Sequence, residues 1–86
     1  MKIIVKEIYR DWRTNAEKVM ETNTVEAESL EKAFEKAYPY ERSLRYCNDH
    51  FIRIFDEAGN NLMDKWQEWK KTGLSISLYY GNATVD

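Results

Sequence analysis

Hydrophobic positions alternate near the two ends of the chain and recur at helical spacing in between. In KIIVKEIYR, residues 2–10, Ile3 and Val5 share one face of an extended chain, and Ile4 and Ile8 share the other. A strand that is apolar on both faces belongs inside a sheet. After DWRTN, which has turn character at Thr14 and Asn15, the segment EKVMETNTVEA spaces Val19 and Val25 as a second strand would. A short helix over 15–21 is the competing reading.

The rhythm then changes. In ESLEKAFEKAYP the residues Leu30, Ala33, Phe34, Ala37 and Tyr38 fall at i, i+3, i+4, i+7 and i+8, the stripe of an amphipathic helix. Ser29 is placed to cap it by accepting a backbone N–H, and Glu31 suits the positive end of the helix dipole. Lys32 stands where a capping box requires Glu or Gln. Pro39 predicts the end of the helix, because it has no N–H to donate and steers Tyr38 away from helical angles.

Beyond Arg42 the pattern is again that of strands. SLRYC and HFIRIFD flank Asn48 and Asp49, a pair suited to a two-residue hairpin turn. Gly59 breaks the chain within EAGNN. NLMDKWQEWKKTG predicts a second helix, with Leu62, Trp66 and Trp69 on one stripe, Asn61 as a cap and Gly73 just beyond the end. LSISLYY, residues 74–80, alternates as a last strand. The expected order is therefore ββαββαβ: a single α+β domain over residues 1–80, with an about five-stranded, mainly antiparallel sheet and two helices, and residues 81–86 as a loose tail. Two helices packed on one face of such a sheet would leave the other face uncovered.

The junction TVEAESLEKA, with Val25, Glu26, Ala27, Ser29, Glu31 and Ala33, resembles the strand-to-helix junction V-E-A-x-S-x-E-E-A of DpnD/PcfM-like small mobile-element proteins, and the resemblance extends over residues 22–38. Lys32 departs from that pattern. The resemblance implies a phage or conjugative-element setting and no catalytic residues.

Composition narrows the function classes. Eighty-six residues allow one core and one domain. A single Cys permits no internal disulfide, the apolar run at the N-terminus stops before Lys6, and no stretch approaches the ~18 apolar residues that a membrane span needs. A cytoplasmic protein is expected, with no membrane association. The formal net charge of −2 fits neither an acidic nucleic-acid mimic nor a strongly basic nucleic-acid binder. Three Trp, six Tyr and three Phe are more than a core this small requires.

Three groups of residues could carry function. Cys47, Asp49 and His50 bring together the only Cys and the only His. In a hairpin, Cys47 and His50 would face each other across the first rung, yet a nucleophile also needs an oriented base and donors for an oxyanion. The surrounding sequence supplies none of these, and one thiol, one imidazole and one carboxylate fall short of a structural zinc set. The cluster therefore reads as turn punctuation, with no catalytic residue, metal or cofactor assigned. No Walker loop, dinucleotide glycine motif, HExxH or GxSxG is present.

Phe51, Arg53 and Phe55 alternate on one strand face, joined by Tyr46 across the expected hairpin and by Tyr79 from the last strand. Aromatics and an Arg on an open sheet can stack unpaired bases. The same alternation would equally allow Phe51 and Phe55 to face the core. YRDWR carries Tyr9, Arg10, Trp12 and Arg13, residue types that dominate protein interfaces because they join large area to a polar handle.

The function expected from the sequence is a non-catalytic protein-binding module, an adaptor or an inhibitor of a host system. Its binding residues would be Tyr9, Arg10, Trp12, Arg13, Tyr46, Phe51, Arg53 and Tyr79. A single-stranded nucleic-acid-binding domain is the alternative, and self-pairing of an edge strand into a homodimer is a further mode of assembly.

Overall fold

The computed structural model describes residues 1–44 and 46–74. Strand β1 (Lys2–Arg10) forms the centre of a three-stranded sheet, with β2 (Glu17–Glu26) antiparallel on one side and β3 (His50–Asp56) antiparallel on the other. The double-sided apolar pattern of β1 thus has its expected consequence. Helix α1 (Leu30–Arg42) links β2 to β3, and α2 (Met63–Trp69) follows β3 and runs into a π-helical turn at Lys70–Leu74.

Ile3 pairs with Val25, and Val5 with Ile54, so these side chains share a face. Both helices pack there. Ile3, Val5, Val25, Ile52 and Ile54 meet Ala33, Phe34 and Ala37 of α1 and Leu62, Trp66 and Trp69 around α2 in one core. Phe34 meets Trp66 edge-on at 5.2 Å between ring centroids, and Trp66 stacks on Trp69 at 5.3 Å. Each large apolar side chain buried in this way stabilises the fold by about 1.5–3 kcal/mol. Ser29 Oγ accepts from the backbone N–H of Lys32 at 3.2 Å, the expected cap of α1; at α2 the cap position is Leu62 rather than Asn61, whose Oδ1 nevertheless accepts from the N–H of Met63 at 2.8 Å.

The five-stranded expectation is not met: among the described residues the sheet has three strands. One of the missing strands is SLRYC. Helix α1 continues through Pro39 to Arg42, with the N–H of Ser43 donating to the Pro39 carbonyl at 3.0 Å, and Cys47 N–H closes a turn on the Leu44 carbonyl at 2.8 Å. Ser43 thus caps the helix, and Leu44 and Cys47 belong to the turn that follows it. The turn beyond Pro39 is held from outside, because Glu41 accepts from the Trp66 indole N–H at 2.8 Å and from Lys70 Nζ at 2.7 Å. Tertiary bonds there outweigh the one backbone bond that proline cannot make.

Strand β3 pairs with β1 instead of entering a hairpin with SLRYC, and His50 lies opposite Tyr9. The other edge of β3 is met by the chain returning from Gly59, whose φ of 88° is in the region that favours glycine. There Leu62 N–H donates to the Ile54 carbonyl at 2.8 Å. The strand expected at 74–80 and the tail at 81–86 lie outside the described residues, apart from Leu74 at the end of the π turn. No helix among the described residues is long and apolar enough to cross a membrane.

Candidate partner-binding site

The sheet face opposite the helices is set by register. Lys6 pairs with Arg53, Ile8 with Phe51, Ile4 with Phe55 and Arg10 with Glu17, so all of these side chains stand on that face. Ile52 and Ile54 take the core side. The ambiguity in the alternation of β3 is thereby resolved: Phe51, Arg53 and Phe55 face outward, half-buried.

Their surroundings are charged. Glu17 lies at the centre of an arginine pair. Arg53 donates to both carboxylate oxygens, Nη1 to Oε1 at 2.5 Å and Nη2 to Oε2 at 2.7 Å, and Arg10 Nη2 donates to Oε2 at 2.8 Å. Both guanidinium groups also lie over the Phe51 ring, at 4.9 Å for Arg10 and 5.1 Å for Arg53. Lys6 Nζ sits 5.0 Å from the centroid of Phe55. The Arg53 hydrogen bonds, and after them those from Arg10, hold the Glu17 carboxyl down at about 2, against an ordinary value near 4.5. Ile8 is 3% exposed on this face, flanked in the ladder by Val19 and Phe51.

At one end of the face the β1–β2 hairpin turns. Asp11 organises the turn: its carboxylate accepts from the Arg13 backbone N–H at 2.9 Å, and its carbonyl accepts from Asn15 N–H at 2.7 Å. Asn15 takes a φ of 62°, a left-handed conformation that asparagine tolerates. The turn presents Trp12 with 79% of its surface exposed, and the Arg13 guanidinium lies 6.0 Å from its ring centroid. The N–H of Arg10 donates to the Asp49 carbonyl at 2.8 Å, which brings the loop before β3 alongside the turn. Between them is a cleft of about 660 Å³, lined by Arg10, Trp12, Tyr46, Cys47, Asn48, Asp49, His50 and Phe51.

The structure therefore gathers most of the residues read from the sequence. Arg10, Trp12, Tyr46 and Phe51 line one cleft, Arg13 stacks beside Trp12, and Arg53 adjoins through Phe51 and Glu17. Tyr9 does not join them. It lies on the opposite face of β1, with its ring 5.3 Å from that of His50. Tyr79 lies outside the described residues.

Cys47 and His50 do not form the expected hairpin rung. Cys47 is exposed in the loop, and His50 Nδ1 is 2.9 Å from Asp49 Oδ1. Among the described residues no three of His, Cys, Asp and Glu come together as a metal site. Glu17 is the residue the sequence reading missed. Its seven-residue separation from Arg10 across a turn was the available signal, but its link to Arg53 depends on β3 lying beside β1. No protein-family model, characterised protein or solved structure matches the chain.

Proposed function

We propose that this domain is a non-catalytic protein-binding module that docks its partner at the hairpin turn and the adjoining cleft. The observation that carries this reading is Trp12, a large aromatic side chain 79% exposed on a turn fixed by its own hydrogen bonds. A rigid aromatic anchor beside a cleft is the arrangement that concentrates binding energy in protein interfaces. Arg10, Arg13, Phe51 and Arg53 supply the surrounding polar and aromatic contacts. The bulge that leaves Met20 without a register partner, together with the charged side chains of β2, works against pairing of that edge with a second copy.

The test is partner capture. The full chain and Trp12→Ala are used as baits in a lysate of the native host, and the bound proteins are quantified by mass spectrometry. Proteins retained by the wild type should fall at least about tenfold with the variant, as for a hot-spot residue. An unchanged set of bound proteins would refute the assignment of the site.

A further inference from the structure

Resting on the protein-partner reading, we propose that Arg10 and Arg53 form a carboxylate receptor, occupied in the free protein by Glu17. The partner segment then carries an acidic side chain next to an aromatic or large apolar one. Two guanidinium groups on different strands converge on one carboxylate, and Arg53 grips it with the two-pronged geometry that selects planar acids. The grip is open to exchange. Side-chain exposure is 46% for Arg10, 31% for Arg53 and 32% for Glu17, so a competing carboxylate reaches the pair without unfolding anything.

Charge favours such a ligand. By register the face opposite α1 and α2 carries Lys2, Lys6, Arg10 and Arg53 against Glu17 and Glu26, with Asp49 lining the adjoining cleft, in a chain whose net charge is −2. The face is thus locally basic on an acidic molecule. A short acidic segment matches that distribution, whereas a long polyanion would also meet the acidic remainder. The group already held is a carboxylate, which favours protein over nucleic acid. Arg10 and Phe51 line the cleft shared with Trp12, so a residue adjacent to the bound acid falls into that cleft.

Glu17 is in this account an internal competitor, and removing its charge should strengthen binding. A random peptide display library is panned against the full chain, and the recovered peptides are synthesised and measured by fluorescence polarisation. Recovered peptides should combine Asp or Glu with a neighbouring aromatic residue. Such a peptide should bind Glu17→Gln about fivefold tighter, the upper range for releasing an exposed ion pair. It should bind Arg53→Lys, which keeps the charge and loses the fork, more weakly.

Changing the peptide's acid to its amide should abolish the advantage of Glu17→Gln, and the wild-type arm of this comparison needs no altered protein. Peptides that require Trp12 but carry no acid, or equal affinity for wild type and Glu17→Gln, would overturn the receptor while leaving the protein-binding reading intact. A library yielding no Trp12-dependent peptide, with tight salt-sensitive binding of a single-stranded oligonucleotide instead, would overturn both.

Discussion

Two tryptophans of the same chain have opposite fates, and their neighbours explain why. Trp66 is fully buried, with its indole N–H bonded to Glu41. Trp12 sits on a six-residue reversal, Asp11–Ala16, that holds it 79% exposed. Glu17 shows a third situation, an acid whose folded state is stabilised by its partners. A carboxyl group held at about 2 when folded and near 4.5 when unfolded stabilises the fold fully above the higher value. That contribution falls as the pH drops between the two. Urea unfolding of wild type and Glu17→Gln should therefore differ most near neutral pH and converge toward pH ~2. Curves that stay parallel over that window would show the arginine pair to be irrelevant to stability.

At the scale of elements, the sequence was legible wherever a single periodicity governed. The stripes Leu30–Tyr38 and Leu62–Trp69 became helices on the core, and the apolar faces of β1 made it the central strand. The strand expected at SLRYC is not formed, because local rules end the helix at Pro39 whereas α1 runs on to Arg42 and is capped by Ser43. Its continuation is decided by Glu41, which bonds to Trp66 and Lys70 more than twenty positions away. The same non-locality hid the link of Glu17 to Arg53, whereas Arg10, Trp12 and Arg13 are singled out as candidates by residue type alone.

Pro39 is exposed and leaves the Glu35 carbonyl without its usual helical donor. Pro39→Ala should restore that bond and raise stability by about 1 kcal/mol, below the ~3 kcal/mol of a mid-helix proline because the site is near the helix end. For a domain of this size the melting midpoint should rise by roughly 4–8 °C. A lower midpoint would mean that proline stabilises the last turn chiefly by restricting the unfolded chain.

At the scale of the whole molecule, the two sheet faces differ in what covers them among the described residues. One face carries both helices and the aromatic cluster of Phe34, Trp66 and Trp69; the other carries the cation-covered rings and ends at the exposed turn. Substitutions should separate accordingly. Trp66→Ala should cost about 3–5 kcal/mol in thermal or urea unfolding, a large share of the stability of a domain this small. Trp12→Ala should change stability by less than ~0.5 kcal/mol.

The most direct measurement of the central claim uses the three indole N–H signals of the isotopically labelled full chain, followed by NMR while the captured partner is added. The Trp12 signal should move first and furthest, with backbone signals of Arg10, Arg13, Glu17 and Arg53, while those of Trp66 and Trp69 hold their positions. Perturbation confined to α1 and α2, with Trp12 unmoved, would contradict the account.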